Sequence, residues 1–193
     1  MFSGIIQTIS PIIKTEKIRG SLFMTVKRPG GWRLKLGDSL ATDGVCLTVA
    51  KLTPTTYTCE LMPETLKRSS FGLSIPAAVN LEPALKFNGR LDGHLVLGHV
   101  DSVGRISKII KRGRSWLFEI SFPGRFHKLI AAQGSISIDG ISLTVVSVKK
   151  NAFTVSLVDY TLQHTTLGTK NTGTAVNLEF DVIAKYLNRL SER

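Results

Sequence analysis

The segment DGVCLTV, Asp43 to Val49, returns as DGISLTV, Asp139 to Val145, 96 residues further along the chain. This repeat constrains the fold more than composition does, because it makes the chain two copies of one unit. ETLKRSSFG from Glu64 aligns at the same offset with YTLQHTTLG from Tyr160, pairing Thr65 with Thr161, Leu66 with Leu162 and Gly72 with Gly168. VNLE at Val79 recurs at Val176, and Gly4-Ile5-Ile6 pairs with Gly98-His99-Val100 at an offset of 94. Landmarks in the same order, with offsets that barely drift, mark a duplication. The 193 residues then divide into two units of about 95, each large enough for one small core.

Each unit reads as β-structure. Ser39 to Ala50, Tyr57 to Met62, Ser115 to Phe122, Ile136 to Val148 and Phe153 to Val158 are rich in Val, Ile, Leu, Thr and Phe and bounded by turn formers. Asp43-Gly44 and Asp139-Gly140, flanked by strand-like residues, predict tight hairpins. The expectation is an all-β fold of two tandem, similar antiparallel Greek-key β-barrels, residues 1–93 and 94–181, with six or seven strands each. Short helical turns are expected at ETLKRSS, where Pro63 preorganises the start, and at TLQHTT. In the last segment, 182–193, Ile183, Tyr186, Leu187 and Leu190 fall at i, i+3, i+4 and i+7, one apolar face of a short helix. With no third domain to cover it, that face is expected to bury against another subunit.

Composition excludes several classes. Cys46 and Cys59 form no CxxC pair, so neither a disulfide framework nor a thiolate zinc site is expected, and a reducing, cytoplasmic location fits. No uncharged apolar run approaches the roughly 20 residues that span a bilayer. The opening MFSGIIQTISPII lacks a basic residue before its apolar stretch and contains Pro11, so it does not read as a signal peptide, and no membrane association is expected. The net charge of +11 raises the question of a polyanionic partner. The cations, such as Lys14, Lys17 and Arg19 or Lys108, Lys111, Arg112 and Arg114, are scattered through turns and edges without interleaved aromatics. They read as solvated surface, and no nucleic acid is expected.

Duplicated barrels carry two related pockets, and two related pockets suit two like ligands. Facing each other, such pockets make a bimolecular encounter nearly intramolecular, which supplies roughly 7–11 kcal/mol towards a barrier. The copies differ where chemistry would separate donor from acceptor: Cys46 stands opposite Ser142, and Ile5 opposite His99. Ser142 and Thr144, at i and i+2, present both hydroxyls on one face of a strand. Cross-strand hydroxyl pairing on a barrel rim would also explain them. His94 and His99, at i and i+5, fall on opposite faces of an extended strand and cannot chelate together, so no metal is expected. Asp43 and Asp139 are accounted for by Asp-Gly turn chemistry, and Asp181 by capping of the terminal helix.

MFSGII, GDSLATDGVCLTV, LMPETLKRSSFG, HLVLGHVD, GSISIDGISLTV and VNLEFDVIAKY resemble, in order, the hallmark segments of the riboflavin synthase family and cover essentially the whole chain. The resemblance implies a homotrimer of double barrels whose active sites form where the N-terminal barrel of one subunit meets the C-terminal barrel of its neighbour. It implies a dismutation in which one 6,7-dimethyl-8-ribityllumazine gives a four-carbon unit to another, yielding riboflavin and 5-amino-6-(ribitylamino)uracil without a cofactor. Association with lumazine synthase is a further implied partnership. The alternative within the same fold is a non-catalytic lumazine-binding or flavin-binding protein.

By the same resemblance Ser142, His99, Cys46, Thr144, Asp139, Asp181, Ser39 and Phe2 surround the reacting rings. Gly4, Ile5, Ile6, Cys46, Leu47, Thr48, Glu60, Leu61, Met62, Pro63, Glu64 and Thr65 would shape the pocket of the first barrel. Gly98, His99, Val100, Ser142, Leu143, Thr144, Ser156, Leu157, Val158, Asp159, Tyr160 and Thr161 would shape that of the second. Gln133 stands where the family usually has lysine, and LVDYTL departs from the usual form with Pro-Glu-Thr-Leu.

Overall fold

The computed structural model describes residues 1–191 and consists of two closed six-stranded antiparallel barrels. The first contains β1 (Thr8–Ile18), β2 (Ser21–Lys27), β3 (Ser39–Thr42), β4 (Val45–Leu52), β5 (Thr56–Leu61) and β6 (Ala78–Pro83). The second contains β7 (Ser102–Arg112), β8 (Ser115–Ser121), β9 (Ser135–Ile138), β10 (Ile141–Lys149), β11 (Ala152–Val158) and β12 (Ala175–Phe180). Around each barrel the strands follow one order: first, second, fifth, fourth, third, sixth. One-turn helices α1 (Pro63–Arg68) and α2 (Asp159–His164) follow the fifth strand of each unit, and Pro63 sits at the helix start as its fixed φ favours. The terminal helix α3 covers Val182–Ser191, and residues 192–193 of the predicted terminal segment lie outside the described residues.

Strand alternation fills the interiors. Met24, Val26, Leu47, Val49, Tyr57, Cys59, Val79 and Leu81 build the first core. Ile106, Phe118, Ile120, Ile136, Leu143, Phe153 and Phe180 build the second. Both units carry a bulge in the first strand, at Ile12/Lys14 and Ile106/Lys108, and another in the fourth, at Val49/Lys51 and Val145/Ser147. These bulges bend the strands enough to close so small a barrel.

The two Asp-Gly hairpins meet at the pseudo-twofold relation between barrels. Asp43 and Gly44 have φ of 43° and 77°, Asp139 and Gly140 of 49° and 81°, the signature of a type I′ turn. A Cβ on Gly44 would lie 2.6 Å from the Gly140 nitrogen, so glycine is required there by contact as well as by φ. Asn80 donates its side-chain amide to the Asp139 carbonyl (3.0 Å), and Asn177 donates to the Asp43 carbonyl (2.8 Å). Their amide oxygens accept the Thr166 and Ser70 N–H groups of the opposite barrels. The two asparagine amides are thus satisfied reciprocally across the joint.

Candidate functional site

The candidate cleft lies on the outer face of β4, roofed by a leading segment, and β10 of the second barrel carries the same roofed arrangement. Cys46 and Thr48 point outward from β4, opposite Ala41 and Ser39 of β3, while Leu47 and Val49 point into the core. Over Cys46 runs the segment 97–100. Gly98, at φ 79°, accepts the Cys46 N–H through its carbonyl (2.9 Å), and a Cβ on it would come within 2.5 Å of the Cys46 Cβ. The segment is held by Glu179 of β12, whose carboxylate accepts the N–H groups of Leu97 (2.7 Å), Gly98 (2.9 Å) and His99 (3.0 Å). Burial lifts the Glu179 pKa to about 6, and the backbone donors offset only part of that rise. The resulting cleft of about 380 Å³ brings together Cys46, Glu64, Thr65, Arg68, His99, Val100 and Asp101.

Ser142 occupies the equivalent place in the second barrel. Its N–H donates to the Gly4 carbonyl (2.8 Å), and a Cβ on Gly4, also at φ 79°, would stand 2.6 Å from the Ser142 Cβ. Glu82 of β6 holds this segment, accepting from Ser3 N–H (2.7 Å), Ser3 Oγ (2.7 Å) and Gly4 N–H (2.9 Å). The leading segments are therefore exchanged. Gly98, His99 and Val100 roof the first barrel, not the second as the resemblance was mapped onto the chain, and Gly4 roofs the second. An antiparallel bridge between Phe2 and Val96 ties the two segments together.

The histidine beside Ser142 is His94, with Nδ1 2.7 Å from the Ser142 Oγ. His94 is buried and its Nε2 has no hydrogen-bond partner. Burial pushes its pKa below the usual imidazole value, against the pull of Asp181, and so favours the neutral ring. Gly93 leaves the room for this contact, since a Cβ there would meet the Ser142 Oγ at 3.0 Å and the Ser3 carbonyl oxygen at 2.1 Å. His99 is exposed and lies across the molecule at the Cys46 cleft.

Several other expected site residues serve the frame. Phe2 is completely buried with Ala41 and Val96, and Asp139 is completely buried in an ion pair with Lys170 (2.6 Å). Asp181 caps α3 by accepting the Ile183 N–H (2.9 Å). Gln133 is exposed in a turn at φ 64°. Leu47, Leu61, Leu143 and Leu157 face the cores, so only their backbones are available to a ligand. By contrast Ile5, Thr48, Met62, Pro63, Glu64, Thr144, Ser156, Val158, Asp159 and Tyr160 are exposed, and Ile6, Glu60 and Thr161 half-buried; of these Glu64 lines the cleft. Sequence reasoning missed Glu82, Glu179, Gly93 and the contact of His94. The recurrence of glutamate in both VNLE segments was the available signal for the clamps.

Tandem barrels whose fourth strands are roofed in the same way define a duplicated fold with a candidate ligand cleft, and the comparisons give that class its name. The chain belongs to the lumazine-binding-domain family, which matches residues 3–84 and again 97–181. Over nearly its whole length it is similar to the riboflavin synthases of Actinobacillus pleuropneumoniae (40% identity; 98% of this chain, 89% of that protein) and Mycobacterium tuberculosis H37Rv (39%; 98% of each). It is therefore a member of the riboflavin synthase family. Among solved structures, LumP complexed with riboflavin superposes with a TM-score of 0.86 at 21% identity, covering 93% of this chain and 99% of that one, which shows the shared fold.

Proposed function

We propose that the chain is a riboflavin synthase that converts two molecules of 6,7-dimethyl-8-ribityllumazine into riboflavin and 5-amino-6-(ribitylamino)uracil by four-carbon transfer. The observation that carries this reading is the pair of pseudo-symmetric, roofed fourth-strand faces equipped differently: Cys46 with His99 and Arg68 in the cleft at one, Ser142 bonded to His94 and followed by the outward Thr144 at the other. The like geometry accommodates two like substrates, and the unlike side chains give them different fates. Apposition of the Cys46 face of one subunit with the Ser142 face of its neighbour, in a homotrimer, supplies the orientation the reaction needs. The neutral His94 and the Ser142 hydroxyl form the proton-handling pair at the second face, suited to the 7-methyl group of a bound lumazine. His99 and Cys46 serve the partner ring. The enzyme works in the cytoplasm, and association with lumazine synthase belongs to the same reading.

The test is incubation of the purified chain with 6,7-dimethyl-8-ribityllumazine while riboflavin absorbance is followed. Turnover is expected, with Ser142→Ala reducing it by about 10²-fold, the scale of one acid–base group. Lumazine binding without product would establish the non-catalytic alternative instead.

A further inference from the structure

The first cleft does not end at Arg68. It opens into a second groove of about 550 Å³ that shares Glu64, Arg68, Ser69 and Asp101 with it and adds Lys67 and Arg125. The carboxylates here are already matched: Glu64 pairs with Arg68 (2.6 Å) and Asp101 with Lys185 (2.6 Å). Lys67 and Arg125 have no carboxylate within 4 Å among the described residues, so the shared groove carries uncompensated positive charge. The duplication supplies an internal control. At the repeat offset Lys67 and Arg68 correspond to Gln163 and His164, so α2 lacks the two fixed cations of α1.

We infer that the first cleft, taken as a ribityl-lumazine and ribityl-flavin site, accepts a phosphate monoester on the ribityl terminus, which Lys67 and Arg125 engage in the adjoining groove. The ligand class is the phosphorylated form of the product flavin, and its binding places the first barrel under control of a later, phosphorylated flavin. The second barrel takes only the neutral ribityl chain. Because the cations are exposed, the selectivity is moderate and salt-dependent: two exposed charge pairs give roughly five- to tenfold in affinity, screened beyond about 8 Å at physiological ionic strength.

Flavin fluorescence titrations of the full chain with riboflavin and with flavin mononucleotide, at low and at physiological salt, test this. Flavin mononucleotide is expected to bind several-fold tighter at low salt. Substituting Lys67→Gln and Arg125→Gln together should bring it down to the riboflavin affinity. Equal affinities in the parent, or a preference that survives the double substitution, would overturn the inference and leave the lumazine-site reading standing. Failure of either flavin to bind would overturn that reading, and the inference with it.

Discussion

Asp43 and Asp139 hold equivalent turn positions at the joint between barrels, yet only one lysine reaches them. Lys170 bonds Asp139, and the matching position in the first unit is Ser74. Burial opposes the Lys170 ammonium, but Asp139 and Asp43 together outweigh it and hold its pKa above the usual lysine value. Burial, and then the charge of Asp139, drive the Asp43 pKa up to about 8; Lys170 and the Asn80 N–H recover only part of the shift. Folded Asp43 thus keeps its proton at pH values where the unfolded carboxyl, near 3.8, has lost it. Its contribution to stability is greatest at low pH and declines as pH rises from about 4 to about 8. Asparagine accepts the same Asn80 N–H and does not titrate. Asp43→Asn is expected to raise stability at pH 8 by about 1–3 kcal/mol and to flatten the fall of Tm between pH 5 and 8, measured by thermal melts across that range. At another single position, Gln133 occupies the left-handed conformation that Gly37 takes in the first unit, both donating N–H to the fourth strand. Gln133→Gly should stabilise by about 0.5–1 kcal/mol, read from the urea midpoint.

At the scale of elements, the exchanged leading segments join the two barrels alongside the Asp-Gly joint. Each is a few residues long and relies on a glutamate clamp, a positive-φ glycine and direct backbone contact with the other unit's fourth strand. Gly98→Ala combines left-handed strain with a clash against the Cys46 Cβ and should cost about 3 kcal/mol or more. Gly113, at φ 58° with nothing within 4 Å of an added Cβ, separates the two effects: Gly113→Ala should cost only the strain, about 1–2 kcal/mol. Urea denaturation of both variants checks the difference, and similar losses would mean that the roof over Cys46 is not tightly packed. The same elements mark where sequence reading stops. Ser142 and Thr144 facing out, with Leu143 and Val145 facing in, followed from a period of two residues, and the Asp-Gly turns from local chemistry. The segment exchange depends on contacts between residues 52 and 138 apart in sequence, Gly98 with Cys46 and Gly4 with Ser142, which no local pattern encodes. For the same reason strand alternation put His94 and His99 on opposite sides but could not say which one meets Ser142.

At the scale of the whole molecule, the terminal helix α3 leaves much apolar surface exposed among the described residues. Asp181 caps α3, Lys185 anchors it to Asp101, and the helix rests on the turn Gly124–Leu129. Its stripe of Ile183, Tyr186, Leu187 and Leu190 nevertheless faces outward, with Tyr186 70% and Leu187 62% exposed. Full burial of each such side chain is worth about 1.5–3 kcal/mol, so three helices meeting around an axis have a substantial driving force to associate. In the proposed trimer, the Cys46 face of one subunit meets the Ser142 face of its neighbour. Assembly and turnover are then coupled. Leu187→Glu places a charge in the stripe and is expected to convert a trimer to monomers by sedimentation, with lumazine turnover per chain falling at least tenfold. Riboflavin should still bind the monomer, because the first cleft is made of one chain. Monomers that retain full turnover would show that each chain completes its own active site.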